Sequence, residues 1–208
     1  MTLERRIGPA HVRFTDRGDG DMRRSLLELP WTWLLQEHGR EVVRVDRPGA
    51  CAGARADAAV TNQPGAALAV LTADCAPVAL ASTEGPVGVA HAGWGGLLAG
   101  VIPSAVEALR DLGASDVHAV IGPCIHAECY EFGAEDLDRL IDRFGPDVAG
   151  STAAGAPALD LQAAVRAALA EQGVEYVEDV GVCTGCSPDH FSWRARKEHG
   201  RQATVIWR

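Results

Sequence analysis

Six cysteines and seven histidines in 208 residues give this chain a large supply of metal ligands and of thiol nucleophiles. Two segments concentrate that chemistry. Leu71-Thr-Ala-Asp-Cys-Ala-Pro77 follows an apolar run and leaves Asp74 and Cys75 at its end, and Val87-Gly-Val-Ala-His-Ala-Gly-Trp94 does the same for His91. Polar groups at two strand ends, each followed by a turn, are a common way to build a site on a rigid scaffold. Cys75 and His91 could form a nucleophile–base pair or share a metal; either residue alone reads as ordinary core. A third grouping, His126-Ala-Glu128 with Cys183-Thr-Gly-Cys186, matches part of the zinc nucleobase-deaminase signature. Val182 stands where that signature has proline, and the 57 positions from His126 to Cys183 are long for two neighbouring helix starts. The CxxC there reads as a buried thiol pair. GxSxG, HExxH and Walker A patterns are absent, and Gly93, Gly95, Gly96 and Gly100 do not spell GxGxxG. Lys197 is the only lysine. An anion must therefore meet arginine, backbone amide or metal, and Schiff-base chemistry is excluded elsewhere in the chain.

The elements that position these residues read as mixed α/β, or α+β. Leu137, Leu140, Ile141 and Phe144 recur with helical spacing and stop at Gly145-Pro146. A second helix is predicted from the cap Asp160 to Gly173, and a third with Pro103 in its first turn, ending at Gly113. Ser25–Glu37 also reads as helix, interrupted at Pro30. Strands are predicted at Val42–Val45, Ala58–Thr61, Ala67–Leu71, Val78–Ala81, Val87–Ala90, Val117–Ile121, Val174–Val180 and Ala203–Trp207. Several are continuous apolar runs, as expected of a sheet covered on both faces. No repeat or linker divides the chain, so residues 1–208 read as one domain. A formal net charge of −9 argues against nucleic acid or an anionic membrane as partner. No apolar stretch reaches the ~20 residues of a membrane span. With no secretory signal visible before Glu4-Arg5-Arg6, the expectation is a cytoplasmic protein.

An ordered set of motifs carries a resemblance. Gln36-Glu-His38-Gly39, Asp57-Ala-Ala-Val-Thr61, Thr72-Ala-Asp-Cys75, Ala90-His-Ala-Gly-Trp94, Ile121-Gly-Pro-Cys-Ile125 and Cys129-Tyr-Glu-Phe-Gly133 resemble, in order, the YfiH-like laccase-domain family. Asp160-Leu-Gln-Ala-Ala164, Cys183-Thr184, Phe191-Ser-Trp-Arg194 and Gly200-Arg-Gln-Ala-Thr204 continue it. The resemblance implies a layered α-β-β-α fold and a metal held by His38, Cys75 and His91. It also implies the activities described for the family: polyphenol oxidase, purine nucleoside phosphorylase acting on adenosine, inosine and methylthioadenosine, and adenosine deaminase. Asp74, Cys75 and His91 are then the expected catalytic residues, with Arg17, Cys124 and Arg194 as candidate contacts to substrate. Purine nucleoside and phosphate are the expected partners, and the oligomeric state stays open. The family's AGWRG becomes Ala92-Gly-Trp-Gly-Gly96 here, so an arginine is missing at Gly95. The stretch between Phe14-Thr-Asp-Arg17-Gly18 and the EHG motif is also short.

Two His and one Cys fill three tetrahedral zinc positions and leave the fourth open, the pattern of a catalytic site. A blue-copper His2Cys site usually adds a weak axial Met, and only Met1 and Met22 are available. Zinc is preferred to copper on that ground. Residues 193–208 hold five Lys/Arg against one Glu, a net +4 that could meet phosphate, solvent or another subunit. Three further readings stay open: a metal-free Cys75–His91 hydrolase acting on a small amide or cell-wall precursor, a copper-dependent polyphenol oxidase, and a non-enzymatic partner protein.

Overall fold

The computed structural model describes residues 3–25 and 29–208. In chain order the strands are β1 (Leu3–Ile7), β2 (Ala10–Phe14), β3 (Trp31–Leu35), β4 (Val42–Val45), β5 (Ala54–Arg55), β6 (Ala58–Thr61) and β7 (Ala67–Thr72). There follow β8 (Ala76–Ala81), β9 (Val87–Ala92), β10 (His118–Ile121), β11 (Ala149–Ser151), β12 (Pro157–Leu159), β13 (Tyr176–Asp179) and β14 (Gln202–Trp207). The helices are α1 (Met22–Ser25), α2 (Trp94–Ala99), α3 (Val101–Arg110), α4 (Ala134–Phe144), α5 (Leu161–Glu171) and α6 (Trp193–Arg196).

Two six-stranded sheets stack face to face. One has the order β1-β2-β14-β7-β3-β5 and the other β13-β10-β8-β9-β6-β4. Alternation along β8 explains the continuous apolar runs. Val78 and Leu80 point into a core shared with α3 and α5, among Ile102, Val106, Leu109 and Val165. Ala79 and Ala81 point the other way, into the core between the sheets with Phe14, Leu68, Val70 and Ile206. Both faces of this sheet are therefore covered, and a strand period of two cannot show as a polar face. On the outer face of the first sheet Met22 of α1 packs on Ala67, Ala69, Ala203 and Val205, flanked by Trp31, Trp33 and Trp207. Among the described residues that layer holds one helical turn, where the stretch before the EHG motif is short.

The predicted helices at Asp160 and before Gly145-Pro146 form as α5 and α4, and the Asp160 side chain caps α5 by accepting from the Ala163 amide. The helix predicted with Pro103 in its first turn forms as α3, starting at Val101, with Gly100 at φ 93° separating it from α2. The glycine-rich Trp94–Ala99 turn, unassigned from sequence, is that short helix. The helix predicted over Ser25–Glu37 is corrected. Residues 26–28 lie outside the described residues, and Trp31–Leu35 is β3, parallel to β7 through Trp31↔Ala67 and Trp33↔Ala69. Pro30 ends any helical path, and aromatic and β-branched side chains at 31–33 suit a pleated, half-buried strand. The hairpin β1–β2 was not anticipated, because charges at Glu4, Arg5, Arg6 and Arg13 mask its alternation.

Candidate metal centre

Sheet register assembles the site. In the β8–β9 pair Pro77 faces His91, and in the β6–β9 pair Ala58 faces Ala90. Cys75, just before β8, and Asp57, just before β6, therefore flank His91 near the end of β9. His38 arrives from the other sheet, on the turn after β3. Gln36 ties that turn to β7: its side chain donates to the Leu71 carbonyl at 2.7 Å and accepts from the Leu71 amide at 2.8 Å.

Asp57 is the buried keystone, 1% exposed. Its carboxylate accepts from the amides of Glu37 (3.0 Å), His38 (3.0 Å) and Gly39 (2.8 Å), and lies 2.8 Å from His91 Nδ1. Burial opposes its charge, but the bonds to His91 and to the amides of Gly39 and Glu37 outweigh burial and hold its pKa below the usual value. The three amides fold the turn so that His38 takes a left-handed backbone, φ 57°. Burial likewise opposes charge on His91; the neighbouring Cys75 and Asp57 overcome it and lift its pKa to about 9. His38, at the mouth, is shifted down by desolvation and by His91.

The ligand atoms of His38, Cys75 and His91 all lie within 4.8 Å of one another. Asp57 occupies Nδ1 of His91, which directs Nε2 to the cluster, the usual arrangement behind a metal-ligating histidine. Gly93 supplies the space: a Cβ there would sit 2.6 Å from His38 Nδ1 and 3.0 Å from Cys75 Sγ. One soft thiolate and two imidazoles converging on a point with one side open fit a four-coordinate Zn²⁺ with an exchangeable position. Met22 is committed to the outer face of the first sheet, so its sulfur supplies no axial ligand of the blue-copper kind.

These three residues line a cavity of about 600 Å³. Its walls carry aromatic rings, Trp94, Tyr130 and Trp193, and the arginines Arg23, Arg55, Arg194 and Arg201. Arg23 is paired with Asp21 and Arg55 with Glu37. Arg194 stacks over Tyr130 at 4.7 Å and donates to the Glu131 carbonyl. Arg201 donates to the carbonyls of Glu198, His199 and Gly200. Among the described residues neither of these two has a carboxylate in ion-pair contact. Partial burial, with Arg23 nearby, lowers the pKa of Arg201.

The residues proposed from sequence divide. His38, Cys75, His91 and Arg194 meet at the cavity. Asp74 also lines it, but its carboxylate is engaged by Thr184 Oγ1 and Ser192 Oγ, both at 2.7 Å, and by the Arg194 amide at 2.6 Å. With φ 101° it sits in strained backbone next to Cys75, and in this geometry it anchors the C-terminal segment. The structure does not bring Arg17 to the cavity. Arg17 donates to the carbonyls of Pro188 and His190, pairs with Glu198 and lies over Phe191. Cys124 is fully buried in the helix-side core, and burial pushes its thiol up. Arg196 turns to the carbonyls of Thr184, Gly185 and His190. Sequence reasoning assigned no role to Asp57 or Arg201. A charge opening an apolar strand, at Asp57-Ala-Ala-Val-Thr61, was the available signal for the first.

No helix among the described residues is long and apolar enough to cross a membrane. Residues 21–208 match the family model described as multi-copper polyphenol oxidoreductase laccase. A purine nucleoside phosphorylase of Streptomyces coelicolor is 44% identical over 179 residues, spanning 84% of this chain and 74% of that protein. Purine nucleoside phosphorylase YfiH of Escherichia coli is 36% identical over 84% of this chain and 72% of its own. Among solved structures, a Neisseria meningitidis protein superposes with a TM-score of 0.85 at 26% identity, covering 99% of this chain and 98% of that one. YlmD of Geobacillus stearothermophilus does so with a TM-score of 0.77 at 31% identity, over 89% and 78%. With its motifs, layered fold and relatives in agreement, this chain belongs to the multi-copper polyphenol oxidoreductase laccase family, the YfiH-like laccase-domain proteins.

Proposed function

We propose that the chain is a zinc-dependent purine nucleoside phosphorylase acting on adenosine, inosine or methylthioadenosine, with adenosine deamination as a second activity of the same site. One observation carries the reading: the cavity joins an open two-His, one-Cys cluster to aromatic walls and to two arginines that have no carboxylate partner among the described residues. A purine offers π-faces for Trp94, Tyr130 or Trp193, and phosphate suits arginine where the chain's one lysine lies elsewhere. The relatives named as purine nucleoside phosphorylases support the same substrate class.

In phosphorolysis a phosphate oxygen forms a bond to ribose C1′ as the bond to the purine nitrogen breaks. The electron pair leaves with the base, which takes up a proton, and the sugar departs as ribose 1-phosphate. Arg194 and Arg201 hold the phosphate for that attack, and fixing two reactants in one cavity removes much of the entropic barrier. A metal held by His38, Cys75 and His91 would supply a Lewis-acid charge beside the substrate or a more acidic water. Asp57 keeps His91 and the His38 turn in place, and Asp74 keeps Arg194 at the wall.

A specific observation favours a second reading. Asp57, His91 and Cys75 stand in the order orienting acid, base and nucleophile of a cysteine hydrolase. His38 at the same point, on a turn strained to put it there, favours the metal. Product analysis separates them. With adenosine or inosine, phosphorolysis releases free base and ribose 1-phosphate only when phosphate is present. Inosine formed from adenosine without phosphate marks deamination. An active, metal-free protein silenced by thiol alkylation would establish the hydrolase.

A further inference from the structure

The fold closes a second cluster of metal-ligating groups outside the cavity. Cys129, on a single 3-10 turn (Ala127–Cys129), meets Cys183 and Cys186 of the Cys183-Thr-Gly-Cys186 turn, with Glu128 beside them. The three sulfurs and a Glu128 oxygen all lie within 4.8 Å of one another, and Cys129 Sγ is 3.1 Å from Cys186 Sγ. Ligands around a tetrahedral zinc at about 2.3 Å stand about 3.8 Å apart, so a small inward or outward adjustment suffices.

We propose that Cys129, Cys183, Cys186 and Glu128 form a structural Zn²⁺ site, independent of the cavity and of the function proposed for it. The His126 amide donates to Cys183 Sγ at 3.4 Å, and the amides of Gly185 and Cys186 face the same atom. These amides pull the Cys183 pKa down, but burial outweighs them and holds the thiol above its usual value, so a bound ion must displace the proton. Gly185 gives the close approach, since a Cβ there would lie 2.7 Å from Cys129 Cβ and 3.1 Å from its sulfur. Behind Glu128, His126 Nδ1 is 3.6 Å from the carboxylate, and His126 Nε2 is buried without a partner. A histidine so placed can orient a ligating carboxylate.

The two segments are already in register. Cys124 and Cys183 form an isolated parallel bridge, with the Thr184 amide on the Cys124 carbonyl at 2.9 Å and the Cys124 amide on the Val182 carbonyl at 3.2 Å. Thus Cys183 returns beside Cys124 after 59 positions, and the partial deaminase signature closes in space. It does so away from the cavity, which none of the four ligands lines. Three thiolates and a carboxylate fill the coordination sphere, the mark of a structural rather than catalytic site. Binding Zn²⁺ releases three thiol protons to solvent and involves no redox step. The ion would staple the segment that continues into Tyr130 to the loop whose carbonyls hold Arg196.

The test uses reduced, chelator-stripped protein titrated with Zn²⁺ or Co²⁺ alone. Cys75→Ala removes the only thiol of the cavity cluster, so uptake by that variant reports this site. Cys75→Ala protein is expected to bind one tight equivalent, and its Co²⁺ form to show intense thiolate-to-metal charge-transfer absorption. Adding Cys186→Ser, an exposed position, should weaken binding at least ~100-fold and most of that band should go, while Glu128→Gln should weaken it about tenfold. No tight equivalent in Cys75→Ala protein, or a band unchanged by Cys186→Ser, overturns the proposal. So does a Cys129–Cys186 disulfide whose reduction yields no metal uptake.

Discussion

The two sulfur-containing clusters of this molecule differ in donors, in exposure and in what surrounds them. The cavity set offers two imidazoles and one thiol, is backed by a buried carboxylate, and faces a space of about 600 Å³. The second set offers three thiols and a carboxylate, is backed by a backbone amide, and lies outside that cavity. An open position beside a cavity serves chemistry, whereas a sulfur-rich, closed set serves cohesion. The lesson is that ligand-type residues alone do not report function. The side left open does.

The contrast can be broken most severely at the cavity. Cys75→Ala is expected to lower nucleoside cleavage by about 10³-fold or more and to remove one metal equivalent, checked by steady-state kinetics and elemental analysis of one preparation. Equal losses from Cys186→Ser would erase the distinction between the clusters. Next is Asp57→Asn, which leaves three amides and His91 without their charged partner. It should cost about 10–100-fold in metal affinity at the cavity and leave the second site untouched, read by competitive chelator titration of each Cys-variant background. Gly95→Arg comes third. A Cβ there meets His38 Cβ at an ordinary 3.5 Å, so the backbone accepts a side chain, and arginine adds positive charge. The KM for phosphate should fall about tenfold in Gly95→Arg and rise about tenfold in Arg201→Gln, with smaller change in kcat.

The smallest effect tests the clasp that carries Arg194. Burial opposes ionisation of Glu198, but the Ser192 amide, Arg17 and Arg196 lower its pKa to about 2 from an ordinary 4.5. A depressed folded-state pKa adds stability that is present above about pH 4.5 and fades as pH falls toward 2. Glu198→Gln should therefore cost about 1–2 kcal/mol at pH 7 and much less near pH 2, measured by urea unfolding at both pH values.

Much of the cavity was legible because its residues sit at strand ends. Thr72-Ala-Asp-Cys75 and Ala90-His-Ala-Gly-Trp94 each bind a polar group to an apolar run, so adjacent strands bring them together. Asp57 was not legible as a keystone. Its partners, the 37–39 amides and His91, come from the turn after β3 and from a neighbouring strand, and only register joins them. Arg17 was misleading for a related reason: an arginine near a motif says nothing about which carbonyls will claim it. The Cys183–Cys186 turn was set aside because linear spacing hid the bridge at Cys124. Trp31–Leu35 was misassigned because its bulky residues fit both periods, and the parallel partner β7 decides for strand.

The central claim is that metal in the His38, Cys75, His91 cluster drives phosphorolysis. The most direct test follows free-base release from inosine in saturating phosphate while chelator-stripped protein is titrated with Zn²⁺. In Cys186→Ser protein, freed of the second site, activity should rise from background and saturate at one equivalent. Full activity in the stripped protein, or none at any zinc and phosphate concentration, would contradict it.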